Sequence, residues 1–152
     1  MNLERYPVVA DSNYLMYKFL SRGPNGSIAK IVFYREVDDH VFNLEFGDWD
    51  VGKQEVDDKA RSNNNDRNKV IATVAGTVIE FIKYYPRATV FAKGSTPART
   101  RLYQIGIFAN WPEISQRFVI QGFINGEWQV FQQGINYQAF LLSQGKILNS
   151  FK

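Results

Sequence analysis

The chain has 152 residues, 45% hydrophobic and 15% aromatic, enough for one folded domain with a buried core and far from the composition of a disordered segment. It has no cysteine and one histidine, His40, which excludes disulfides, thiolate chemistry, cysteine-based zinc sites and multi-histidine metal sites. The formal charge of +3 permits a phosphate-bearing partner without demanding one.

In chain order, YLMYKFL (residues 14–20) is apolar on both alternating faces, Lys18 excepted, and reads as a strand covered on both sides. SRGPNGS supplies a turn. Residues 28–35 form the next strand, with Ile31 and Phe33 on one face and Val32 and Tyr34 on the other. After a turn at Asp38 and Asp39, VFNLEF alternates Phe42, Leu44 and Phe46 with Asn43 and Glu45, giving one core face and one polar face. The three strands make a meander. Residues 47–68 are polar and read as a long loop, of a length that is usually functional or mobile.

Val70, Val74, Val78, Phe81 and Tyr85 then recur at helical spacing, with Ile71 and Ile82 beside them. Asn64 or Asn65 is the candidate cap, Asp66 suits the positive end, and Pro86 stops the helix. Ala75 and Gly76 give it a small, flat packing surface. Residues 88–93 are a short strand, and GSTPARTRLYQ (94–104) is a turn opening a helix. Trp111 and Pro112 open a further short helix to about Arg117. FVIQGFINGEWQVFQ reads as two strands around Asn125 and Gly126, the favoured pair for a two-residue type I′ turn. NYQAFLLS (136–143) fits strand or helix, with strand preferred.

The fold expected is α+β: a single domain over residues 1–144 and a loose tail over 145–152. Its mostly antiparallel sheet runs in the order β-β-β-α-β-α-β-β, with two main helices packed on it. No apolar run approaches the roughly 18 residues that span a bilayer, and MNLERYPVVADSNY has no basic start followed by an apolar signal core. A cytoplasmic chain without membrane contact is expected.

The chemistry concentrates at GSTPARTRLYQ. Thr96 is an N-cap and Pro97 a first helical residue, while Gly94 and Ser95 supply the turn. Backbone amides at such an end attract anions. At 100° per residue, Ala98, Leu102 and Ile105 share a face expected to be core. Arg99 and Tyr103 are neighbours on one flank, and Arg101 falls on the other. Arg99, with Ser95 and Thr96 and with Arg67 from the preceding helix start, is the candidate anion site. Arg101 is expected to lie along the sheet and meet an acid. A cation in the first turn opposes the helix dipole by roughly 0.3 to 1 kcal/mol. Asp48 and Asp50 in GDWD are the internal acids that would compensate. Internal ion pairing, a bound phosphate or acidic partner, and simple solvation remain three alternatives.

Other sites are less developed. Asp48, Asp50, Asp57 and Asp58 suit a hard cation but fit no EF-hand spacing, so a solvated acidic loop is favoured and no metal is expected. His40 sits by a turn and reads as a surface residue. There is no P-loop, no GxGxxG and no serine nucleophile elbow. Trp49, Trp111 and Trp128 have no basic stripe beside them, which favours packing over stacking on bases.

RYP (5–7), FGDWD (46–50), NNND (63–66), GSTPARTRLYQIGI (94–107) and NGEW (125–128) together resemble a family of short bacterial proteins of unknown function. More remotely, the element order is similar to the GCN5-related N-acetyltransferase fold, and residues 96–108 resemble its NxxAxxLYxxxGF helix at Leu102, Tyr103 and Phe108. Thr96, Arg99 and Ile107 depart from that pattern, and RSNNNDRNK has no glycine where the family's pyrophosphate cradle would lie. That resemblance implies Tyr103 as general acid toward a coenzyme A thiolate, the loop from Arg61 to Asn68 as the pyrophosphate holder, and acetyl-CoA or another acyl-CoA as cofactor; no cofactor is expected otherwise. The leading expectation is a small binding protein with an anion or acidic-partner site at 94–103. The alternatives are an acyl-CoA-dependent N-acyltransferase, including a toxin-like one, and a nucleic-acid-binding module of a defence or toxin–antitoxin system.

Overall fold

The computed structural model describes residues 4–57 and 64–144. Its strands are β1 (Val9–Ala10), β2 (Met16–Gly23), β3 (Gly26–Asp38), β4 (Val41–Asp50), β5 (Glu55–Asp57), β6 (Thr89–Ala92), β7 (Phe118–Ile124), β8 (Glu127–Val130) and β9 (Ala139–Gln144). Its helices are α1 (Arg67–Tyr84), α2 (Pro97–Ala109) and α3 (Trp111–Arg117). The described strands form one sheet in the order β1-β2-β3-β4-β6-β9-β7-β8, with β5 added to β4.

Turn chemistry sets the two long hairpins. The β2–β3 turn is Pro24 and Asn25, and strand pairing runs out to Gly23 opposite Gly26. Asn125 and Gly126 both have positive φ (54° and 77°), as a type I′ turn needs, and pair β7 with β8. The pairing of β4 with β6 is parallel, Val41 opposite Thr89 through Leu44 opposite Ala92, and α1 is the crossover between them. β9 then enters between β6 and β7, antiparallel to both.

One face of this sheet carries the core. Tyr17, Phe19, Val32, Tyr34, Phe42, Leu44, Phe46, Val90, Phe118, Ile120, Phe140 and Leu142 are buried in one cluster with the inner faces of the three helices. Phe81 of α1 stacks on Tyr34 at 4.1 Å and meets the edge of Phe42 at 5.0 Å. The Tyr34 hydroxyl is satisfied at 2.8 Å by Thr77 Oγ1, so the ring is buried without an orphaned polar atom. The opposite face carries Lys18, Leu20, Trp49 and Trp128, all at least partly exposed.

Topology puts both long helix starts at one end of the sheet. The end of β4 lies with the beginning of β3, since Lys30 is opposite Asp48. Asn64, just before α1, donates to the Gly26 carbonyl there. β6 runs parallel to β4, so it too points to that end before the chain turns into α2.

Several expectations are corrected. The mostly antiparallel, acetyltransferase-like plan in the order β-β-β-α-β-α-β-β with two main helices does not hold: the sheet is mixed, with nine strands and three helices among the described residues. β1 has two residues and β5 three, too short for a periodic signal. The long loop expected over 47–68 is partly sheet. β4 continues to Asp50, and Trp49 and Asp50 pair with Val56 and Glu55. Strand β2 is covered on one face only, because Tyr17 and Phe19 are buried in the core while Lys18 and Leu20 are exposed. Asp58 and the first residues of the 61–68 loop lie outside the described residues, as does the tail expected over 145–152.

Candidate functional site

Local chemistry explains where α2 begins. Thr96 is extended (φ −135°, ψ 160°) and its Oγ1 accepts from the Arg99 amide at 3.2 Å, with Pro97 next. The turn before it is closed by buried Thr100, whose hydroxyl accepts from the Gly94 amide at 3.0 Å and donates to the Thr96 carbonyl at 3.3 Å. A Cβ on Gly94 would come within 2.3 Å of Arg99 Cβ and 2.5 Å of the Thr100 amide nitrogen, so only glycine lets the turn close this tightly.

The buried face of α2 differs from the one expected. Thr100, Tyr103, Gly106 and Ile107 are buried, while Ala98 is exposed and Leu102 and Ile105 are half-buried. Hydrophobicity alone misplaces this face because a threonine and a glycine hold two of its positions. Thr100 is satisfied by backbone, and Gly106 lets Ile71 of α1 approach.

Arg99 reaches across to the sheet. Along one side, β4 is paired by β6 up to Leu44 and by β5 only from Asp48. In the gap, Arg99 Nη1 donates to the Phe46 carbonyl at 3.3 Å, and its guanidinium lies 5.8 Å from the Phe46 ring centre. Arg101 is exposed on the other flank and has no hydrogen-bond or ion-pair partner among the described residues. Ser95 and Thr96 are exposed. Asp48 is ion-paired to Lys30 at 2.5 Å, both side chains largely buried. Asp50 accepts from the Lys53 amide at 3.1 Å. Neither acid is brought to Arg101. Tyr103 is 8% exposed and packed in the core, close enough to contribute to the upward shift of the buried Tyr34 phenol, though burial is the larger cause.

Arg67 is exposed at the first position of α1. That start is built differently. Asp66 makes no side-chain cap; its Oδ2 instead accepts from the Tyr6 and Ser21 hydroxyls, each at 2.6 Å. Burial first, and then this carboxylate, pushes the Tyr6 phenol above its ordinary value. Asn64, buried, donates to the Ser21 carbonyl, Ser21 Oγ and the Gly26 carbonyl, and accepts from the Asn25 amide. Sequence reasoning offered Asn64 or Asn65 as the cap and Asp66 as suited to the positive helix end, and missed that Asn64 and Asp66 bond to the β2–β3 hairpin. His40 is exposed at the β3–β4 turn with φ 58°. Among the described residues no group of three or more His, Asp or Glu is arranged to hold a metal ion, and no helix is long and apolar enough to cross a membrane.

These observations define a mixed-sheet protein with three helices among the described residues, whose basic helix start lies where two parallel strands part. Residues 2–145 match a family of unknown function, DUF6934, and the chain belongs to that family. Among curated proteins and among solved structures, none matches it.

Proposed function

We propose that this protein binds an anionic group, either a phosphate-bearing molecule or a carboxylate-rich segment of a partner, at the start of α2. The observation that carries the reading is the gap in the sheet beside Phe46, into which Arg99 is drawn. It lies at the carboxyl ends of the parallel pair β4 and β6. Open sheets commonly take ligands outside such strand ends.

Electrostatics support the same place. Lys93, Arg99 and Arg101 lie within nine residues, and the first turn of α2 has no acid. The acids of β4 on either side of Phe46 are already paired, Glu45 with Arg35 and Asp48 with Lys30. The amide of Ala98 has no acceptor within its own helix, which adds a donor beside Ser95. Arg67 opens α1 at the same end of the sheet.

Calorimetric titration with pyrophosphate tests the reading. Saturable binding is expected, weakened about tenfold by Arg99→Ala and by Ser95→Ala and less by Arg67→Ala, as loss of a charge-assisted contact predicts. No saturable heat, or affinity indifferent to all three changes, overturns it. Acetyl-CoA in the same titration separates the acyl-transfer alternative: tight binding lost on changing residues 61–68 would favour that route. Oligonucleotide binding that falls steeply with salt would favour the nucleic-acid alternative instead.

A further inference from the structure

A second place in the molecule has an unmet chemical demand, and it is remote in residues from the start of α2. Tyr17 of β2 is 0% exposed, and its hydroxyl has no hydrogen-bond partner. It is the only such buried side-chain atom among the described residues. An orphaned buried hydroxyl is costly to a fold, roughly 1 to 3 kcal/mol, and calls for an explanation. The Tyr17 side chain lines a cavity of about 300 Å³ between the segment from Arg5 to Tyr14 and the middle of α1. One water takes roughly 30 Å³ in the liquid, so the space is far larger than a single solvent molecule needs.

The polar groups of the wall sort into used and unused. Thr73 Oγ1 accepts from the Tyr6 amide at 2.8 Å and donates to the Lys69 carbonyl at 2.7 Å. Thr77 is taken by Tyr34 and by the Val74 carbonyl. Arg5 lies over Gly76, with its charge committed to Glu113 at 2.8 Å. What remains is the Tyr17 hydroxyl and the carboxylate of Glu80, whose one ion pair among the described residues is a long one to Lys83 at 3.7 Å. Aromatic rings of Tyr6, Tyr14 and Tyr17 complete the wall, and Tyr14 is fixed by stacking on Tyr84 at 3.6 Å.

We propose that this cavity is a binding site for a small organic ammonium ion, its N–H groups donating to the Tyr17 hydroxyl and the Glu80 carboxylate while its charge faces the tyrosine rings. The Tyr17 hydroxyl can accept as well as donate, and the Glu80 carboxylate only accepts, so a cationic donor suits both groups while an anion is repelled by Glu80. Tyrosine faces attract cations through their negative quadrupole. The field at Tyr17 has the same sign: after burial, Glu80 and then Asp11 push its phenol upward, as negative charge nearby must.

The test is calorimetric titration of the full chain with butylammonium chloride, sodium butyrate and butanol at matched ionic strength. Butylammonium is expected to bind saturably, and Glu80→Gln and Tyr17→Phe each to weaken it about tenfold. Tyr17→Phe is the second safeguard, because deleting an orphaned hydroxyl leaves the ligand-free melting temperature unchanged or raised. Butyrate binding as well as butylammonium, or affinity unchanged in both variants, overturns the proposal. So does a structure soaked in butylammonium in which only water meets Tyr17.

Discussion

At the start of α1 the Asp66 carboxylate and the Asn64 amide are answered inside the molecule and Arg67 is exposed, whereas the start of α2 has no acid in its first turn and carries Arg99 and Arg101. Asp66 is held by two hydroxyls from β2 and the N-terminal segment, and Asn64 is buried in four hydrogen bonds to the β2–β3 hairpin. Around α2, Thr96 caps its own helix, Arg99 leans on a carbonyl, and Arg101 faces solvent. Each start is seated on a glycine: a Cβ on Gly23 would fall 2.2 Å from the Asn64 carbonyl oxygen, as one on Gly94 would meet Arg99 and Thr100. The tight seat is therefore common to both, and the difference is what the side chains do once seated. The start of α1 is a joint that ties in the β2–β3 hairpin, while that of α2 caps itself through Thr96 and reaches β4 through Arg99.

That contrast can be broken by mutation. Asn64→Ala removes the donor to the carbonyl and hydroxyl of the buried Ser21 as well as the bonds to Asn25 and Gly26, and should cost about 3 kcal/mol in urea unfolding. A loss below about 1 kcal/mol would mean that the α1 start is no tighter a joint than an ordinary cap. Thr96→Ala removes one N-cap acceptor and should cost about 1 kcal/mol by the same measurement; a cost equal to that of Asn64→Ala would erase the distinction. Arg101→Ala should change stability by less than about 0.5 kcal/mol, as expected for an exposed side chain without partners. A larger destabilisation would place Arg101 in an internal contact and take it out of the outward charge.

What the sequence revealed follows from what is local. Alternation at Phe42, Leu44 and Phe46 marked one face of β4, and Asn125 with Gly126 marked the β7–β8 turn, because both signals lie within a few residues. Thr96 and Pro97 marked the start of α2 for the same reason. β5 was hidden because Val56 is its single apolar residue among acids. The position of β9 was hidden because pairing order depends on residues tens of positions apart. At the candidate site, Arg101 was expected to lie along the sheet, yet it is Arg99 that reaches it, and one partner of Arg99 is a backbone carbonyl, which no side-chain pattern announces. The unmet hydroxyl of Tyr17 was illegible for a similar reason: a tyrosine in an apolar strand reads as core, and only the arrangement around it shows that its oxygen has nowhere to go.

The insertion of β9 has a consequence for synthesis. β6 and β7 do not touch as strands; each pairs with β9, so the β7–β8 hairpin joins the rest of the sheet only through it. A nascent chain emerging from the ribosome can form the β2–β4 meander and lay α1 on it early. It then carries the hairpin as an unattached flap until residue 144 has cleared the exit tunnel. During that interval the edge of β6 and the facing edge of β7 are both open to other chains, the condition under which partly made sheets aggregate. Ribosome-stalled chains ending before Ala139 should accordingly be protease-sensitive in the hairpin while β2–β4 is already protected.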